Sequence, residues 1–280
     1  TEIYTRLFSA ASDVYKRQYI FIVLVYKNTN VLENFFENFS EQDSKVIVIN
    51  SFYDEESLEE CKEIAENFGA DFLQVDNEGY GYGNNIGVEY ALKHYSCNFL
   101  IVSNSDIIIK DLSYLDEIKE QKAIIAPETR MLTGKLQNPD LPWKLPFLFD
   151  ITHYALEHNM KWLYTMTHVY TRLVREYFLV MKKFSRSKLQ KIFSPHGSFF
   201  MITEEAARIL QPIFDNNMFL YNEEWYLAMN AQSKNVPIYY CPSIKVLHLE
   251  GASSDSNKEV LFEHNKKSYN VFYKKFFKLV

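Results

Sequence analysis

Cysteine is scarce. Cys61, Cys97 and Cys241 are the three in 280 residues, and they stand far apart. They form no CxxC pair and no even-numbered framework, which excludes a disulfide-stapled scaffold and fits a reducing compartment. Long apolar runs are also missing. None approaches the roughly 20 residues needed to cross a bilayer, and residues 19–26 (YIFIVLVY) are short enough to be a buried strand. Net positive charge is absent too. Thirty Lys and Arg against 36 Asp and Glu leave −6, which argues against a general nucleic-acid binder. The first residues lack a basic segment followed by an apolar one, so no signal peptide is expected. Together these absences point to a cytoplasmic protein.

What is present is an ordinary globular composition, 47% hydrophobic and 24% charged, enough for one large domain or two small ones. Aromatics reach 16% and are expected mainly in a large core. Charge is uneven. From Lys161 to Lys191 lie eight basic residues against the single acid Glu176. A basic stretch in an acidic chain calls for a local anionic partner, and residues 161–191 suit either an anionic membrane surface or an ordinary solvated helix pair. Residues 13–18 (DVYKRQ) resemble a translated sequencing adapter, so residues 1–18 are expected to be a non-native leader.

Residues 20–25 (IFIVLV) form a continuous β-branched run, as in a strand buried on both faces of a parallel sheet. Residues 31–39 have helical spacing, 45–49 are a second buried strand, and 57–68 are a second helix stopped by Gly69. Strands over 71–75 and 98–102 and a helix over 85–95 complete an alternation with short links, which predicts an open α/β sheet with right-handed crossovers. Ligands bind such sheets beyond the carboxyl ends of the strands. A further strand is expected over 123–126. Residues 147–192 read as helical and aromatic-rich. Beyond them, strands over 197–202 and 238–241 flank helices over 204–210 and 223–233. The organisation expected is an α/β half over 19–140, a basic helical insertion over 141–194, and a second half with a C-terminal tail over 195–280.

Four of the eight glycines fall within residues 77–87 (NEGYGYGNNIG). Glycine at a strand-to-helix turn lets backbone approach a ligand, and N–H groups at a helix start suit phosphate. The spacing is neither GxGxxG nor a P-loop. In residues 102–106 (VSNSD), Asn104 and Asp106 alternate along a strand end. Asp106 is open between a Mg²⁺ or Mn²⁺ ligand and a turn cap. Glu223 and Glu224 are open between a catalytic acid–base pair and two solvated carboxylates at a helix N-terminus. Neighbours on a helix do not share a face, so one at most faces a substrate squarely. The spacings of His153, His158 and His168 suit no helical metal site.

Over residues 21–254 the order and separation of these segments resemble the family 2 glycosyltransferases of the GT-A fold, in particular the rhamnosyltransferase-like branch that builds bacterial surface polysaccharides. The resemblance rests on the NxGxGxGNNxG segment, SNSD at the place of a DxD-like motif, GSFFMI (197–202), FLYNEE (219–224) and His248 in HLEGASS. It implies an α/β GT-A fold, an open and mostly parallel sheet flanked by helices, with a helical insertion, the half over 19–140 binding the nucleotide sugar and the half over 195–280 the acceptor. It implies a nucleoside-diphosphate sugar near Tyr26, Asn28, Asn50, Asn77, Gly79, Gly83, Asn84, Asn85 and Asn104. Asp106 and His248 would hold Mg²⁺ or Mn²⁺. Glu224 would be the general base of an inverting transfer to a glycan or lipid-linked hydroxyl, assisted by Glu223. The enzyme would work in the cytoplasm, peripherally on the inner membrane face. Asn50, Asn104 and Tyr226 depart from the family, which usually has Asp at each. A sugar nucleotidyltransferase and a non-catalytic nucleotide-sugar-binding homologue are the alternatives. The first would want a basic glycine-rich loop after the first strand, where Lys27-Asn28-Thr29 stands.

Overall fold

The computed structural model describes residues 16–119, 121–250 and 258–277. Strand β1 (Lys16–Val25) is flanked by β2 (Ser44–Ser51) and β4 (Ser96–Asn104), both parallel to it. Parallel β3 (Asp71–Val75) lies outside β2. The proposed leader lies outside the described residues except at its end, where Lys16 and Arg17 already pair with Ser96 and Cys97.

The β-branched run explains the burial of β1. Ile20 and Ile22 enter one core; Phe21, Val23 and Val25 enter the other, on the opposite face, as strand alternation requires. Helices α1 (Thr29–Glu37) and α2 (Glu55–Asn67) cover the second face through Leu32, Phe35, Cys61 and Ala65. Each starts two residues before its predicted position. Asp54 caps α2 by accepting from Ser57 N at 2.9 Å, the usual way an orphan helix donor is satisfied.

Helix α3 (Tyr80–His94) covers the first face and begins five residues before the predicted 85. The glycines read as a loop are its first turns. A Cβ on Gly83 would lie 2.5 Å from Leu24 Cδ1, and one on Gly87 2.5 Å from Ile22 Cγ2. These glycines therefore let the helix lie close against the sheet, which outweighs the roughly 1 kcal/mol that each costs in a helix. Gly79 differs: its φ is +114°, and a Cβ there would meet Phe219 O at 2.3 Å.

Beyond β4 the sheet becomes mixed, in the order β3-β2-β1-β4-β8-β6-β9-β5, with β7 also on β9. The new strands are β5 (Ile107–Asp111), β6 (Ile124–Met131), β7 (Gln190–Ile192), β8 (Phe199–Thr203) and β9 (Ile238–His248). β5 has no counterpart in the sequence reading. β9 runs seven residues past the predicted 241, and this extension pairs His248 with Ile107 and with Met131. Helices α4 (Pro146–Glu157) and α5 (Lys161–Lys182) pack on each other. α6 (Glu204–Leu210), α7 (Glu223–Ser233) and α8 (Lys258–Phe276) complete the helical layer. No helix among the described residues is long and apolar enough to cross a membrane.

Candidate active site

The carboxyl ends of the four parallel strands open onto a cavity of about 520 Å³. Tyr26 and Lys27 follow β1, Ser51 ends β2, and Asn77, Gly79 and Tyr80 link β3 to α3. Asn104 and Ser105 close the β4 side; Phe219 and His264, stacked with centroids 4.6 Å apart, form the far wall. This is where an open α/β sheet offers a ligand site. Ser51 Oγ donates to Asn77 Oδ1 at 3.1 Å. Lys27 has φ +66°, and its ammonium lies 4.3 Å from the Tyr53 ring centroid.

Of the nine residues expected along the nucleotide sugar, Tyr26, Asn77, Gly79 and Asn104 line this cavity and the other five do not. Gly83 faces Leu24 and Ile49. Asn84 is fully buried and donates to Tyr80 O within its own helix. Asn85 is a clamp: it donates to Phe214 O and accepts from Phe214 N. Asn28 precedes α1 without a side-chain cap bond. Asn50 is buried, and its Nδ2 has no hydrogen-bond partner among the described residues. By strand alternation it shares the face of Val48 rather than of Ser51.

Asp106 and His248 meet just beyond β4. Both are buried, with His248 Nε2 3.1 Å from Asp106 Oδ1. The β5–β9 ladder enforces this proximity, since Ile107 pairs with His248 and Leu249 N donates to Asp106 O at 2.9 Å. Gln137 sets the imidazole. Its amide nitrogen donates to Glu250 at 2.8 Å, so its oxygen faces His248 Nδ1, also at 2.8 Å. Nδ1 is then the donor, and a neutral ring turns the Nε2 lone pair toward the carboxylate. Either an imidazolium or a cation shared between oxygen and nitrogen satisfies that contact. Asp106 and His248 supply two donors, and no cluster of three or more His, Cys, Asp or Glu that could hold a metal exists among the described residues, so a divalent ion here would need further ligands from outside these side chains.

A second acidic centre surrounds the 196–198 segment. Gly197 N donates to Glu224 Oε1 at 3.2 Å, and Tyr80 Oη donates to Gly197 O at 2.7 Å. Asn104 N donates to Ser198 O, joining this segment to the end of β4. Glu223 and Glu224 both start α7, and Glu223 is buried. Burial pushes the Glu224 carboxyl up to about 7, with the Asp140 charge adding to it. Glu223 is driven well above the usual range by burial and then by Glu224. Tyr80 is raised by burial and by Glu224, Glu223 and Asp106, in that order. The two acidic centres therefore sense a common tyrosine that lines the cavity. His196, between them, falls to about 3 through burial and the nearby His248, so its ring is neutral.

Sequence reasoning missed Lys27, Ser51, Tyr80, Gln137, Asp140 and Arg175. Trp225 Nε1 donates to Asp140 Oδ2 at 2.7 Å, and Arg175 donates to Gln137 O at 3.3 Å. Tyr80 was within reach of a sequence argument, sitting between Gly79 and Gly81. The others act through contacts with residues distant in the chain.

Neither a protein-family profile nor a curated protein sequence matches the chain. Solved structures do. GalNAc-T7 with UDP, GalNAc and Mn²⁺ aligns with a TM-score of 0.60 and 12% identity over 94% of this chain and 48% of that one. The mannosyltransferase PcManGT from Pyrobaculum calidifontis with GDP-Man and Mn²⁺ gives 0.49 and 12%, over 93% and 65%. TarS of S. aureus gives 0.47 and 14%, over 80% and 36%. The chain thus spans less than two thirds of the length of each. The first match shows that the fold is the GT-A α/β fold, with its mostly parallel central sheet flanked by helices.

Proposed function

We propose that this GT-A-fold chain is an inverting glycosyltransferase. It moves a hexosyl or deoxyhexosyl group from a nucleoside-diphosphate sugar to a hydroxyl of a glycan or lipid-linked acceptor, in surface polysaccharide synthesis. The rhamnosyltransferase-like assignment rests on the motif resemblance alone. The observation that carries the reading is the buried Asp106–His248 contact of 3.1 Å at the strand ends, beside the cavity. Those two side chains would hold one divalent cation, with the remaining ligands supplied by a diphosphate.

Tyr26 and Lys27 offer the cavity an aromatic face and a cation, Asn77 and Asn104 polar groups. Asp106 and His248 would hold Mg²⁺ or Mn²⁺, which when bound would supply Lewis-acid stabilisation of charge on the diphosphate. Glu224 takes the proton of the acceptor hydroxyl as that oxygen displaces the diphosphate in line, inverting the anomeric carbon. A base whose pKa is near the working pH serves best, and about 7 for Glu224 meets that condition. Glu223 keeps its proton and orients the site. The enzyme works in the cytoplasm, peripherally at the membrane.

Calorimetric titration of UDP, GDP and their sugars, with and without Mn²⁺, tests the reading. Binding of one nucleotide, strengthened by Mn²⁺ and lost in Asp106→Asn, is expected. Failure of every nucleotide to bind overturns it. Binding without turnover for any acceptor would mark a non-catalytic homologue instead.

A further inference from the structure

Helix α5 already packs against the body through one face. Tyr164 accepts from Asn265 of α8 at 2.6 Å, Phe178 lies edge-on to Tyr240, and Arg175 reaches Gln137 O. An ordinary surface helix would turn polar residues outward. This one does not. Trp162, Met166, Val169, Leu173, Tyr177 and Met181 are each 49–62% exposed. At 100° per residue these positions fall within about 120° of the helix circumference and run for about 28 Å along it. Phe184, 81% exposed, extends the line beyond the helix end.

The neighbouring helix continues the surface. On α4, Phe147, Ile151 and Tyr154 are 80%, 37% and 52% exposed at helical spacing. Between the helices lies an apolar groove of about 420 Å³, walled by Phe147, Ile151, Leu163, Met166 and Tyr170. A patch this continuous marks an interaction site. Along α5 its rim is cationic on balance: Lys161, Arg172, Lys183 and Arg186 are exposed against the single acid Glu176, in a chain whose net charge is −6.

We propose that the outward face of α4 and α5 is a membrane-docking surface that lies in the headgroup region of an anionic bilayer. The apolar stripe supplies buried area, Trp162 and the tyrosines supply side chains suited to the interface, and the cationic rim supplies attraction to anionic lipid. A parallel two-fold contact between copies through the same stripe would set Arg172, Lys183 and Arg186 near their own duplicates, and an antiparallel one would set Arg172, at the middle of α5, near its duplicate; both disfavour it. Arg175, on the side of α5 opposite the stripe, ties the helix to the loop that holds His248. Docking therefore brings the cavity's supporting residues within about one helix diameter, 10–12 Å, of the lipid. The lipid-linked acceptor depends on the glycosyltransferase reading; the docking does not, so each fails separately.

The test is co-sedimentation of the full chain with sucrose-loaded vesicles. One set is phosphatidylcholine; the other contains about one third phosphatidylglycerol. Binding to the anionic vesicles is expected, falling at least about tenfold in Leu173→Glu/Tyr177→Glu and, with loss of salt sensitivity, in Lys183→Ser/Arg186→Ser. Brominated lipid should quench tryptophan fluorescence in the native chain and much less in Trp162→Phe, which keeps the apolar face. No association with anionic vesicles overturns the proposal. So does unchanged binding by the double Glu variant with its circular dichroism intact. A lipid-free dimer that Leu173→Glu dissociates would likewise overturn it, making the stripe an interface between copies.

Discussion

Replacing Glu224 with Gln keeps the shape of the side chain and its acceptance from Gly197 N, but removes the ionisable group. The folded chain holds the Glu224 proton more tightly than an ordinary carboxyl does, since burial and Asp140 raise its pKa from 4.5 to about 7. The stability this contributes is present below about 4.5 and is lost as pH rises through about 7. Above that, the native protein carries a charged carboxylate in a buried place. At about 1.4 kcal/mol per pH unit, the cost has a ceiling of about 3 kcal/mol. Gln carries no such cost. Urea unfolding should show Glu224→Gln equal to the native chain near pH 4.5 and more stable by about 1–3 kcal/mol near pH 8.5. Transfer should meanwhile fall by about 10²–10⁴, with native activity rising as pH passes about 7. A stability difference that does not change with pH, or a loss of stability at pH 8.5, would refute the reasoning about this carboxylate.

Gly197→Ala would put a Cβ 2.4 Å from Glu224 Oε1; because that atom ends a flexible side chain, kcat should drop while the melting temperature barely moves. Gly79→Ala should destabilise more than Gly87→Ala, since it meets the Phe219 backbone at positive φ whereas Gly87 meets only the side chains of Ile22 and Ile49; thermal melts should show the second losing roughly 1–3 kcal/mol. Asp140→Asn removes the charge that helps raise Glu224, so the rising limb of the pH–rate profile should move below 7, with the Trp225 contact kept by the amide oxygen.

The parallel half of the sheet was legible because β1, β2 and β4 are nearly continuous β-branched or apolar runs, a pattern set by burial on both faces. The start of α3 was not. Glycine read locally means a turn, and only the presence of Ile22, Leu24 and Ile49 beneath the helix reverses that meaning. Asn85 misled for a similar reason: in a glycine-rich segment an amide suggests a ligand, yet its partner is Phe214, 129 positions later. Gln137 is the opposite case. Nothing near it in sequence signals function, and its role appears only when the β6–β9 ladder carries His248 to within 2.8 Å of it.

The acidic pair shows where local geometry stops and electrostatics takes over. Helical periodicity says that Glu223 and Glu224 point different ways, and they do: one is buried in the core layer, while the other accepts from Gly197. Periodicity does not say which of them can act as a base. Adjacent carboxylates titrate as a coupled unit, so the first proton lost opposes the loss of the second. Burial makes Glu223 the reluctant member, and the Glu224 charge keeps it so. Near neutral pH Glu224 passes between its two states, which makes it the member placed to accept a proton there, while Glu223 is the member that holds its proton more tightly.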